Sequence, residues 1–147
     1  RSSTATAGTS KRWRGSSVHY LTAGQILLIH SLAIDETGGS HGVRDHHAVL
    51  SIKAMPKQQV FGRELYPTVF EKAAVYARGI ILSHPFIDGN KRTGLTAAAV
   101  FLENNGYRLA VRQGGVEQFA LEIATEKLDM ATIAAWFRRN SRKIRER

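Results

Sequence analysis

Apolar positions recur with a helical period along most of the chain, and Gly, Pro and short polar residues mark the breaks between periodic runs. The first run carries Ile26, Leu27, Ile29 or His30, Ala33 and Ile34. Thr22 and Gln25 stand where a capping box belongs, and Leu21 and Ile26 are placed as a hydrophobic staple. Gly38-Gly39-Ser40-His41-Gly42 ends that helix. Asp45 is placed to cap a short second helix carrying Val49, Leu50 and Ile52. From Lys53 to Tyr66 the period is lost, and Gln59-Val60-Phe61-Gly62 reads as a short hairpin or an irregular loop.

The next run predicts a helix starting near Pro67, a favoured first-turn residue, with Phe70, Ala73, Ala74, Ala77, Ile80 and Ile81 inward. Continuing the series reaches His84, where Pro85 is expected to force an extended backbone and end the helix. Another helix begins at Asn90 or a neighbour. Its stretch Leu95 to Leu102 is apolar nearly all round, the mark of a central helix, and Asn105 and Gly106 supply a left-handed stop. Val116, Phe119, Ala120 and Ile123 make a fifth helix. Asp129 caps a sixth with Ile133, Trp136 and Phe137 inward. The pattern predicts an all-α bundle of about six helices with one non-helical excursion.

Composition narrows the class. A chain of 147 residues with 43% apolar and 22% charged residues fits one domain with a sizeable core. The absence of cysteine excludes disulfides and thiolate metal sites and is compatible with a cytoplasmic location, which is the expectation. The charge-free run Gly94 to Leu102 is far too short to span a bilayer, so no membrane role is expected. The net charge of +9 sits on the two ends, while residues 19–137 carry 11 basic and 11 acidic side chains. A neutral body disfavours nucleic acid as the main ligand. The chain divides into a basic arm or expression remnant over residues 1–17, a folded domain over 18–139 and a basic tail over 140–147.

The segment His84-Pro85-Phe86-Ile87-Asp88-Gly89-Asn90-Lys91-Arg92 concentrates unusual chemistry. One helix delivers an imidazole able to accept a proton near neutral pH. The next begins at Gly89-Asn90-Lys91-Arg92, where unpaired amides and the positive dipole end can hold an anion. Asp88 is a hard oxygen ligand suited to Mg²⁺ bridging phosphates, and Arg92 a planar fork for phosphate oxygens. These parts suit phosphoryl or nucleotidyl transfer to an alcohol. Taken singly, each has a plainer reading: a packed histidine, a turn, a solvated basic pair. A metal pair at His84 and Asp88 lacks a third ligand of obvious spacing, and His41, His46 and His47 read better as loop histidines than as a metal cluster.

In order and spacing the block resembles the Fic/Doc signature His-x-Phe-x-(Asp/Glu)-(Gly/Ala)-Asn-(Gly/Lys)-Arg, matched by His84, Phe86, Asp88, Gly89, Asn90, Lys91 and Arg92. The resemblance extends over about residues 18 to 137, with Gly42-Val43-Arg44-Asp45, Phe61-Gly62 and Thr93-Gly94-Leu95 similar to the Doc branch. It implies a Fic-type helical bundle with a short flap. It makes His84 the general base toward a Ser or Thr hydroxyl of a target protein, and Asp88 the Mg²⁺ ligand. Asn90 and the amides of Gly89 and Lys91 would line an anion hole, Arg92 would contact the phosphates of ATP, and Phe86 would anchor the loop. Val60, Phe61 and Gly62 would lie in a flap that docks the target as an added strand.

Lys91 and Leu95 replace the Gly and second Arg of AMP-transferring Fic enzymes. Both changes match Doc-type kinases, which the family describes as phosphorylating a translation elongation factor threonine. The resemblance therefore favours a Doc-type toxin transferring the γ-phosphate of ATP. Fic-type AMP transfer is the alternative, and a non-catalytic nucleic-acid or protein-binding module is the third reading. No Ser or Thr is followed four residues later by Glu, so the family's built-in inhibitory helix is lacking and control by a cognate antitoxin in trans is expected.

Overall fold

The computed structural model describes residues 18–145, so the predicted N-terminal arm and the last two residues of the basic tail lie outside it. Six helices run in order as α1 (Ala23–Thr37), α2 (His46–Ala54), α3 (Val69–Ser83), α4 (Asn90–Asn104), α5 (Gly115–Glu126) and α6 (Met130–Arg139). A 3₁₀ turn, Met55–Lys57, follows α2 and leads into a hairpin of β1 (Gln59–Val60) and β2 (Arg63–Glu64). Strands β3 (Tyr107–Leu109) and β4 (Ser141–Lys143) pair antiparallel. The mostly helical bundle with a hairpin excursion is the architecture expected. None of the described helices is long and apolar enough to cross a membrane.

Four helices start at a side-chain cap. The Thr22 and Gln25 capping box is present, Asp45 accepts from the Ala48 amide, and Asp129 accepts from that of Thr132. The remaining cap, at α3, corrects the sequence reading. Pro67 does not open α3; Thr68 caps it and shares a reciprocal capping box with Glu71, so the proline lies one residue outside.

Helices α3 and α4 form the centre. Phe70, Ala73, Ala74, Ala77, Ile80 and Ile81 of α3 are buried with Leu95, Ala97, Ala98, Phe101 and Leu102 of α4. Gly94 lets the two helices touch, because a Cβ there would lie 2.7 Å from Ile81 Cγ1 and 3.0 Å from the Ala77 carbonyl. On α2, Val49 and Ile52 face inward but Leu50 is exposed, against expectation. A nine-residue helix lying on one side of the bundle buries only one narrow stripe.

Two further corrections concern the ends of elements. The left-handed stop after α4 is Gly106 alone, at φ 93, while Asn105 keeps φ −115. The segment after residue 139 is not wholly a tail, since β4 pairs with β3 and the Ile144 amide reaches the Gly106 carbonyl at 2.8 Å. Short basic strands carry no apolar alternation, which hid this pairing from the periodicity argument.

Candidate active site

Helix α3 carries His84 at its C-terminal end. The residue is left-handed, with φ 51 and ψ 58, rather than extended as predicted from Pro85. Proline removes the right-handed option for the preceding residue, and the helix stop selects the left-handed one. The His84 amide still bonds the Ile80 carbonyl at 3.2 Å. Arg44 stabilises the strained turn, donating from Nε to the His84 carbonyl at 2.6 Å and from Nη2 to the Ser83 carbonyl at 2.7 Å.

That backbone leaves the imidazole exposed with Nδ1 3.2 Å from the Leu82 carbonyl. A carbonyl only accepts, so in the neutral ring Nδ1 donates there and Nε2 keeps its lone pair. This is the tautomer a general base needs.

The segment before α2 holds the loop like a short strand partner. The Arg44 and Asp45 amides both donate to the Pro85 carbonyl, at 2.7 and 3.0 Å. Val43 bridges Phe86, and the Ile87 amide reaches the Gly42 carbonyl at 3.1 Å. Phe86 is buried and lies face to face with His30 of α1, ring centroids 3.9 Å apart. His30 is also buried, and its Nε2 donates to the Asp88 carbonyl at 2.8 Å.

Asn90 closes the loop from the other side. Its Oδ1 accepts from the Phe86 amide and its Nδ2 donates to the Phe86 carbonyl, both at 3.0 Å. The buried carboxamide is thus spent on loop shape, which leaves the Asn90 main chain as its part of the helix start. Gly89, at φ 78, is the N-cap of α4, and no side chain caps that helix. The Thr93 amide bonds the Gly89 carbonyl at 2.9 Å, leaving the amides of Gly89, Asn90, Lys91 and Arg92 without helical acceptors. Gly89 has φ 78, which favours glycine, and a Cβ there would sit 2.9 Å from Ile34 Cδ1, so that the isoleucine tip would have to move.

Asp88 is exposed beside this helix start. Its Oδ2 accepts from the Ser40 amide at 2.9 Å. Arg92 extends toward α1 and meets Glu36 at 2.8 Å, an exposed ion pair. Lys91, Arg92 and Leu95 line a hollow of about 460 Å³ with Thr37, Val116, Glu117 and Ala120.

The Fic/DOC family model matches residues 20–102, an interval holding α1 to α3, the whole loop and all but the last two residues of α4. The chain belongs to the Fic/DOC family. It is similar to Toxin Doc of Mycolicibacterium smegmatis (strain ATCC 700084 / mc(2)155), 36% identical over 118 residues that cover 79% of this chain and 88% of that one. It is also similar to Protein kinase doc of Escherichia phage P1, 25% identical over 122 residues that cover 83% of this chain and 95% of the other. These relatives put this Fic/DOC chain on the Doc branch.

Of the residues singled out in the sequence, His84, Asp88, Gly89, Asn90, Lys91 and Arg92 share the loop and helix start of this Fic/DOC domain. Val60, Phe61 and Gly62 stand apart at the hairpin, with Phe61 fully exposed at φ 51 and Gly62 at φ 77. Two positive φ values at the centre of a two-residue turn are those of the primed hairpin type. Arg44, Ser40, His30 and Glu36 were missed as contributors. A histidine on an otherwise apolar stripe was the visible signal for His30, and Arg44 stood in the segment similar to the Doc branch; nothing local marked Ser40 or Glu36.

Proposed function

We infer that this chain is a Doc-type protein kinase that transfers the γ-phosphoryl group of ATP to a Ser or Thr hydroxyl of a target protein. The observation that carries the reading is the His84 ring, exposed and held by the Leu82 carbonyl with Nε2 free as a proton acceptor. In the step, the target hydroxyl gives its proton to Nε2 and its oxygen bonds the γ-phosphorus. The bond to the β-phosphate oxygen breaks, and ADP leaves.

The remaining groups have matching parts. The amides opening α4 are placed for phosphate oxygens, and Arg92 offers donors beyond the one held by Glu36. The hollow beside Lys91, Arg92 and Leu95 is of a size that small-molecule sites take, about 300–1,000 Å³, and would receive nucleoside. Asp88 fits a Mg²⁺ ligand, because it is exposed and Oδ1 takes no hydrogen bond among the described residues. Bound there, the ion supplies charge neutralisation to the phosphates. Val60, Phe61 and Gly62 offer an exposed edge and an apolar tip for the target chain.

The naming of one relative as a kinase and another as a toxin supports phosphoryl transfer and control by an antitoxin chain. The test is incubation of the protein with lysate and ATP labelled at the γ or the α position, beside His84→Ala. Label from γ alone, lost in the variant, is the expected result. Label from α would assign AMP transfer instead, and label independent of His84 would overturn both.

A further inference from the structure

Helix α3 buries a lysine that the transfer chemistry leaves unused. Lys72 is only 1% exposed. Its ammonium donates to Glu64 Oε1 of β2 at 2.6 Å and to the main-chain carbonyl of Tyr66. It also lies 5.9 Å above the centre of the Tyr20 ring. A charge is buried at this depth only with partners arranged for it, and here those partners are the return strand of the hairpin and the residues just after it.

The hairpin has little else to hold it. Gln59, Val60, Arg63 and Glu64 are all exposed, so neither strand contributes a buried side chain. The Leu65 amide closes its base on the Gln58 carbonyl at 2.9 Å, a bond internal to the excursion. Two-residue strands are too short to keep an orientation alone. Among the described side-chain hydrogen bonds, those of Lys72 are the ones that join this hairpin and its exit to the bundle.

We propose that Lys72 is a positioning residue: through Glu64 and Tyr66 it fixes the hairpin edge against α3, so that the strand which receives the target chain is set before the target arrives. The proposal rests on the protein-target reading given above. A preset edge lowers the ordering cost of docking, and its loss falls on target affinity rather than on the transfer step.

The experiment uses the full chain with Lys72→Met, which keeps the buried stem and removes the charge, and Lys72→Arg. Glu64→Gln, altered at the half-exposed end of the pair, covers the case in which Lys72→Met does not fold. Hydrogen exchange of the 59–65 amides and steady-state kinetics on the protein labelled in the γ-ATP experiment are measured. Exchange in the hairpin is expected to rise about tenfold with α4 unaltered, as for a locally freed segment. KM for the target rises about tenfold while kcat holds within about twofold, and Lys72→Arg restores both. Unchanged hairpin exchange, unchanged KM, or a loss confined to kcat overturns the proposal. If the wild type labels no protein at all, the kinase reading fails separately, and hairpin exchange alone decides whether Lys72 holds that edge.

Discussion

Arg44 grips the backbone of His84: Nε lies 2.6 Å from the His84 carbonyl. Two charge-assisted bonds to consecutive carbonyls at a helix end secure a left-handed residue that a bulky side chain would otherwise disfavour. Arg44→Ala should therefore lower unfolding stability by about 1–3 kcal/mol and cut phosphotransfer at least about tenfold through the displaced ring. Denaturant titration beside labelled-phosphate incorporation checks both; wild-type turnover in the variant would show that the grip is dispensable.

His84→Asn separates backbone from chemistry. Asparagine accepts the left-handed conformation readily, so stability should stay within about 0.5 kcal/mol. Transfer should fall by about 10²–10⁴-fold with the base gone. Circular dichroism and single-turnover kinetics on the same preparation give the two readings.

His30→Phe keeps the ring that stacks on Phe86 and deletes the Nε2 donor to the Asp88 carbonyl. The cost should be about 1–2 kcal/mol in stability. Because the freed segment carries Asp88, Mg²⁺-dependent ATP binding should weaken more than metal-free binding. Calorimetric titration with and without Mg²⁺ makes the comparison, and equal weakening of both would detach His30 from the carboxylate.

Glu36 competes for the guanidinium that phosphate would need. The pair is exposed, with Glu36 69% and Arg92 41% accessible at the side chain, so its own contribution to stability is small. Glu36→Gln should leave melting unchanged and tighten ATP binding about two- to fivefold, more at low salt than high. An affinity insensitive to this change would place the phosphates away from Arg92.

Acid should loosen the start of α6. The Asp129 carboxyl is held below its ordinary value by the hydrogen bond from the Thr132 amide, then by the Thr132 side chain. A lowered folded value means that stability from this cap is present above the unfolded value of 3.8 and disappears as pH falls through the folded one. Asp129→Ala should melt below wild type at pH 7, and the two melting curves should converge as the pH is taken below the folded value.

The helices were legible because their apolar stripes and three of the four side-chain caps are local signals. The Thr68 and Glu71 box was equally local and was overlooked in favour of Pro67. The loop chemistry was legible as a block, yet its support was not. Arg44 acts 40 residues away from His84, and His30 acts 58 away from Asp88. Such pairs follow from how α1 and the segment before α2 pack on the loop, and no window of sequence contains both partners. The backbone of His84 was misread because the proline rule removes one conformation without choosing between the two left.

The small sheet of β3 and β4 ties the strand leaving α4 to residues that follow α6, and α6 itself packs on α3. Both helices flanking the reactive loop thus wait for neighbours synthesised after them. During synthesis at about 5–20 residues per second, a ribosome-bound chain lacks the clamp that holds its own chemistry together. A message cut short before Ser141 would yield a product with its central helices unsecured.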